Sequence, residues 1–145
     1  MFITTMFSFF SIGCSEYTNT SKNYDETQTN LTIFIGKGPS GNTEKLANMT
    51  TFLWDNVYYF IEGTSKIQIE RIIDVQLELD ESAKNAMYSA RSYLIFVKDN
   101  KIVNVITNTP ELFITGEMGK AYTYQNALVV VHTKDPGPYT VLRVS

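Results

Sequence analysis

Few side chains in this sequence have the type and spacing that chemistry requires. Its 145 residues include one cysteine, Cys14, and one histidine, His132, which excludes an internal disulfide, a vicinal dithiol and a multi-histidine zinc site. His132 falls near the end of a predicted strand, with no nucleophile elbow beside it. Three carboxylates, Glu78, Asp80 and Glu81, fall at a strand end and a helix start, where Asp80 and Glu81 suit the positive end of the helix. The sequence therefore predicts no catalytic residue and no metal ligand.

A glycine-rich segment is the one candidate ligand loop. Gly36–Thr43 has the glycine spacing of a phosphate-binding P-loop, but Asn42 stands where the lysine that reaches the phosphates would be. Ser40, Gly41, Asn42 and Thr43 also resemble the phosphate loop of flavodoxins, where hydroxyls and backbone N–H groups at a helix N-terminus hold FMN. That resemblance implies FMN as an alternative cofactor. The other interpretation is a structural turn with a helix cap and no cofactor.

Composition limits the classes of partner. A formal net charge of -3, with 12 basic and 15 acidic side chains, gives no positive field to hold a phosphate backbone, so we expect no nucleic-acid partner. Hydrophobic residues make up 43% of the chain, which suits one globular domain of ordinary composition.

The N-terminal segment has the features of a targeting signal. Residues 1–13 carry no charge and are mostly apolar, yet they are too few to span a bilayer. The tetrapeptide Ser11-Ile12-Gly13-Cys14 resembles the bacterial lipobox. The resemblance implies that residues 1–13 are a signal peptide and that Cys14 carries a lipid. It also implies an extracytoplasmic, membrane-anchored lipoprotein.

A polar segment separates that signal from the rest of the chain. Ten of the sixteen residues from 15 to 30 are Ser, Thr, Asn or Gln, which favours a flexible tether over a packed element. We therefore divide the chain into a signal peptide (1–13), a lipid-anchored flexible linker (14–30) and a single α/β domain (31–145).

Hydropathy patterns within 31–145 predict alternating strands and helices. Asp80 is expected to cap a helix, and Asp99-Asn100 to form a tight hairpin turn. The predicted order is a strand over 31–35, a helix over 42–61, a strand over 67–79, a helix over 80–90, strands over 93–97 and 102–106, a helix over 111–117 and a final hairpin over 121–133 and 139–144.

This order, β-α-β-α-β-β-α, resembles the thioredoxin fold, with the last hairpin as an addition. Two stretches carry the likeness: Phe34–Thr43, with Ser40-Gly41-Asn42-Thr43 at the family's Cys-x-x-Cys, and Tyr93–Val105 at its third and fourth strands. The resemblance implies a three-layer α/β sandwich. Because Ser40 and Thr43 cannot form thiolates, the family's redox activity does not carry over. We therefore expect a redox-inactive domain that binds rather than catalyses.

Tyrosines provide the predicted binding surface. Tyr122 and Tyr124 share one face of a predicted strand, and Tyr139 lies on the added C-terminal hairpin. Aromatic side chains of this kind anchor protein interfaces. The expected partner is an envelope or extracellular protein, with the membrane reached through the lipid.

Overall fold

The computed structural model describes residues 20–37, 39–110, 112–134 and 137–144. Its elements, in chain order, are α1 (Thr20–Lys37), β1 (Thr43–Lys45), a 3-10 turn (Leu46–Asn48), β2 (Asn56–Ile61), α2 (Lys66–Ile73), α3 (Glu81–Ser89), β3 (Ser92–Lys98), β4 (Lys101–Thr107), β5 (Ile114–Thr115), β6 (Ala121–Thr123), β7 (Ala127–Lys134) and β8 (Gly137–Val144). The mixed α/β class that the sequence predicts is confirmed.

The strands form two four-stranded sheets. Sheet I has the order β1-β7-β8-β5, in which β5 runs parallel to β8 and the other neighbours are antiparallel. Sheet II has the order β4-β3-β2-β6 and is antiparallel throughout.

Sheet II is the middle layer of the fold. Its side chains alternate between two faces, and a hydrophobic core lies on each face. One face packs against α1 and sheet I in the first core, which includes Leu31, Ile35, Trp54, Val57, Tyr59, Leu94, Phe96 and Val129. The other face packs against α2 and α3 in the second core, which includes Phe60, Ile69, Ile73, Met87, Tyr93 and Ile95. Features of α1 and features of α2 and α3 therefore lie on opposite sides of sheet II.

Local turn and capping signals predicted three features correctly. Asp99 and Asn100 have φ angles of 47° and 57°, and they join β3 to β4 in the expected hairpin. The Asp80 carboxylate accepts the N–H of Ala83 at 2.7 Å, so it caps α3. The C-terminal hairpin is also present, with β7 and β8 paired from Ala127–Val144 to Lys134–Gly137.

Three segments predicted from hydrophobic periodicity alone are wrong. Residues 31–35, predicted as a strand, belong to α1. The first part of the predicted strand 67–79, up to Ile73, belongs to the helix α2. In each case two buried residues lie four apart, Leu31 with Ile35 and Ile69 with Ile73, and that spacing fits one face of a helix as well as one face of a strand. The predicted helix 42–61 is β1, the 3-10 turn and β2. Because β2 is covered on both faces, its apolar run shows no simple alternation.

The region predicted as a third helix, 111–117, contains the short strand β5. The amide of Asn108 fixes it: Nδ2 donates to the Ser92 hydroxyl and, at 2.8 Å, to the Ile114 carbonyl, while Oδ1 accepts the Ile114 N–H at 3.1 Å. This bridge between β3 and β5 holds the segment extended.

The observed element order differs from the predicted β-α-β-α-β-β-α order. Three helices and eight strands occur among the described residues, and β2 pairs with β3 antiparallel. The C-terminal hairpin is also not an addition to a finished scaffold, because β7 and β8 are the two central strands of sheet I. The described residues therefore do not form the predicted thioredoxin-like arrangement.

The folded part begins earlier than the predicted boundary at residue 31. α1 starts at Thr20, inside the segment assigned to the flexible linker, and Thr27 is buried against the domain. The polar composition of residues 20–30 does not by itself offset the entropy lost on ordering them. The packing of α1 against β4 and β8 supplies the free energy that keeps these residues helical. The predicted signal peptide and the linker residues 14–19 lie outside the described residues.

Candidate functional site

The predicted ligand loop, Ser40–Thr43, leads into a strand and not into a helix. Gly41 N–H donates to the Val131 carbonyl at 2.7 Å, and Val131 N–H donates to the Asn42 carbonyl at 2.8 Å, so the loop extends the pairing of β1 with β7. The Thr43 hydroxyl donates to the Gly41 carbonyl at 3.1 Å. Because no helix starts here, these N–H groups do not converge on an anion. The strand-to-helix turn that suggested FMN binding is therefore not formed.

Two of the three predicted surface tyrosines have described side chains, and only one reaches the surface. Tyr122 is 2% exposed, and its hydroxyl accepts the Glu117 N–H at 2.9 Å. The prediction of a recognition surface is therefore wrong for Tyr122, because its ring fills the first core. Tyr124 is half-buried. The side chain of Tyr139, like Cys14, lies outside the described residues.

Tyr124 belongs to an aromatic cluster at the end of β2 nearest to Asp55. Its ring meets Trp54 edge to face at 5.0 Å between centroids, and Phe96 contacts both Trp54 at 5.4 Å and Phe52 at 5.1 Å. The Trp54 indole N–H donates to the Thr50 hydroxyl at 3.0 Å, which fixes the ring from the other side. Trp54 itself is only 2% exposed.

Leu53, which precedes Trp54 in the chain, is 66% exposed. We call Phe52, Leu53 and Tyr124 the loop patch. Phe52 and Tyr124 pack against the first core, so these two residues lie on the α1 side of sheet II, and Leu53 adjoins Phe52 in the chain. A direct bond links the two regions, since the Asn30 side-chain amide donates to the Met49 carbonyl at 3.0 Å.

A second pair of exposed side chains lies on the opposite side of sheet II. Ile67, in the first turn of α2, is 68% exposed, and Tyr88, near the end of α3, is 59% exposed. We call these two residues the helix patch. Ser65 holds the start of α2 through a capping box with Gln68.

Tyr93 lies in the same core as the two helices of the helix patch. Its buried ring stacks on Phe60 at 6.0 Å. Burial raises the pKa of Tyr93 and the nearby Tyr88 raises it further, while a hydrogen bond to Thr64 acts in the opposite direction. Tyr93 shares the second core with Ile69 and Ile73 of α2 and with Met87 of α3, so both helices pack on the same face of sheet II.

Sequence patterns did not identify either patch. The periodicity of the sequence places Leu53 on the buried face of a predicted helix. In the structure Leu53 is exposed and its neighbour Trp54 is buried, a difference that the sequence pattern does not indicate. Ile67 likewise falls on the same predicted strand face as the buried Ile69.

Metal and membrane features give no further candidate. Among the residues with described structure, no three His, Cys, Asp or Glu side chains are grouped to hold a metal ion. Within the same ranges, no helix has the length and apolar character needed to cross a bilayer.

No protein-family model matches this chain, and neither a curated protein nor a solved structure matches it.

Proposed function

We propose that the protein is a lipid-anchored module of the bacterial cell envelope that binds a protein partner and has no redox activity. The observation that carries the binding role is the helix patch, where Ile67 and Tyr88 are 68% and 59% exposed on two helices that share the second core. Tyrosine is enriched among the residues that dominate interface energies. Because the helices that carry the patch are packed on sheet II, little backbone freedom is lost on binding.

The anchor in this proposal is Cys14, preceded by the apolar segment 1–13. A lipid on Cys14 places the domain outside the cytoplasm and next to the membrane. Thiol-disulfide exchange is not part of the proposal, because Cys14 is the chain's single cysteine. Ser40, in the loop that leads into β1, and Thr43, the first residue of β1, stand at the positions compared with a Cys-x-x-Cys motif. The thioredoxin-like interpretation is also not carried further, since the element order differs.

The anchor is tested by intact mass. The protein is purified from the membrane fraction and compared with a Cys14→Ser variant expressed in the same way. A native species that begins at Cys14 and carries added acyl mass supports the proposal, and a soluble, unmodified native chain overturns this part of it.

Binding by the helix patch is tested with a pair of matched variants. Ile67→Glu changes the patch, and Leu53→Glu is the control, because the two wild-type side chains are almost equally exposed, at 68% and 66%. Each protein is crosslinked in the intact envelope, and the covalent adducts are quantified by mass spectrometry. We expect Ile67→Glu to remove one or more adducts that Leu53→Glu retains. An identical set of adducts in all three proteins would rule out the helix patch as the binding surface.

A further inference from the structure

We infer that the loop patch contacts the lipid surface itself, so that the domain lies on the membrane with its α1 side and presents the helix patch away from it. This inference rests on the lipid anchor of the proposed function, but it concerns a different surface and a different ligand, the acyl chains and interface of a bilayer.

Only a short length of chain separates the proposed anchor from the fold. The predicted linker 14–30 would allow a separation of roughly 55 Å if fully extended. α1 begins at Thr20, however, so five residues separate it from Cys14. Six residue steps span at most about 21 Å in any conformation. The first turn of α1 therefore stays close to the bilayer.

α1 packs on the side of sheet II that carries Phe52 and Tyr124 of the loop patch. Leu31, Ile35 and Trp54 share the first core. The bond from Asn30 to the Met49 carbonyl ties the middle of α1 to the chain that leads directly into the patch. α2 and α3 lie across sheet II, so an anchor at α1 favours contact of the loop patch, and not of the helix patch, with the membrane.

The side chains of the loop patch are apolar or aromatic. An exposed leucine flanked by aromatic rings is the composition of segments that enter the membrane interface, where amphipathic rings sit at the level of the headgroups. Phe52, Leu53 and Tyr124 include no basic side chain, so recognition rests on apolar contact and not on the charge of anionic lipids. A contact too weak to act alone is sufficient here, because the anchor keeps the patch at high effective concentration.

The chain has a built-in reporter for this contact, since Trp54 is its single tryptophan and adjoins Leu53 in sequence. The membrane-purified protein is reconstituted into phosphatidylcholine vesicles with and without bromine on the acyl chains, and the quenching of Trp54 fluorescence is measured. The readout reports where the loop lies and not whether the protein is anchored. Leu53→Glu is compared with the wild type, and Ile67→Glu is the control of matched exposure.

We expect brominated lipid to quench Trp54 in the wild type and in Ile67→Glu, and Leu53→Glu to lose most of that quenching while it still floats with the vesicles. Absence of quenching in a wild-type protein that floats would overturn the inference. Equal quenching in Leu53→Glu would overturn it as well. A protein adduct that depends on Leu53 would reassign the patch to a protein partner.

The fluorescence experiment and the test of the lipid anchor can fail independently of each other. Intact mass establishes whether Cys14 carries lipid, and the fluorescence experiment is repeated with whatever species the mass identifies. An unmodified chain whose Trp54 is still quenched in a Leu53-dependent manner would refute the anchor and retain the lipid contact. Thermal unfolding of both glutamate variants establishes that the domain remains folded.

Discussion

Replacing Thr27 with valine should make the domain more stable. Thr27 lies in α1 with 0% of its surface exposed, and its hydroxyl oxygen has no hydrogen-bond partner. A buried hydroxyl without a partner costs about 1–3 kcal/mol, and valine has the same shape with a methyl group in place of that hydroxyl. The two residues have nearly equal helix propensities, so α1 itself is not affected.

The expected gain in the free energy of unfolding is about 1–2 kcal/mol, which corresponds to roughly 4 °C in Tm for each kcal/mol in a domain of this size. Urea unfolding followed by far-UV circular dichroism measures the change. Thr32→Val is the matched control on the same helix. The Thr32 hydroxyl donates to the Gln28 carbonyl at 2.8 Å, so its removal should leave stability unchanged or reduce it by up to about 1 kcal/mol.

A loss of stability in Thr27→Val would refute the reasoning, because it would mean that the hydroxyl has a partner in solution. The side-chain amide of Asn104 is the group to test, since Nδ2 is buried without a partner on β4, against which α1 packs. A double-mutant cycle of Thr27→Val with Asn104→Ala should give a coupling near zero. A coupling above about 0.5 kcal/mol would indicate that the two groups interact.

Three further predictions concern capping, bridging and ionisation. Asn108→Ala should lower the free energy of unfolding in urea by about 2–4 kcal/mol, because three hydrogen bonds to Ser92 and Ile114 are lost; an unchanged midpoint would contradict the bridge. Asp80→Ala should lower Tm through a loss of about 1 kcal/mol, since the Ala83 N–H loses its cap, and an unaltered thermal melt would count against this role. The raised pKa of Tyr93 means that its neutral form contributes stability below about pH 10 and that this contribution is lost as the pH rises further. Tyr93→Phe should therefore lose less stability than the wild type as the pH rises above about 10 in a pH series of urea titrations, and parallel pH curves would refute the assignment.

Features set by local chemistry were predictable from the sequence. Asp99-Asn100 adopt positive φ because their short polar side chains tolerate it, and Asp80 caps a helix through a bond to a residue three positions later. Both features follow from the preferences of the residues themselves, which is why both predictions are confirmed.

Features decided by tertiary packing were not predictable. Leu31 and Ile35 lie in a β-branched run that favours a strand locally, yet α1 gains more by burying that stripe against sheet II and β8. The candidate surfaces fail for a related reason. The burial of Tyr122 and the exposure of Leu53 depend on which side of an element meets the core, and a misassigned element reverses that choice.

Sheet I joins distant parts of the chain, and this affects when folding can finish. β1, near the start of the domain, pairs with β7, so Thr43 is hydrogen-bonded across to a strand that contains Val130. β8 then separates β7 from β5, so β5 has its place in the sheet only once β8 is present. Contacts of such large sequence separation make folding slow, and sheet I cannot form until nearly the whole chain is available. If the chain is exported unfolded, as the proposed lipid anchor requires, sheet I forms only after β8 has crossed the membrane.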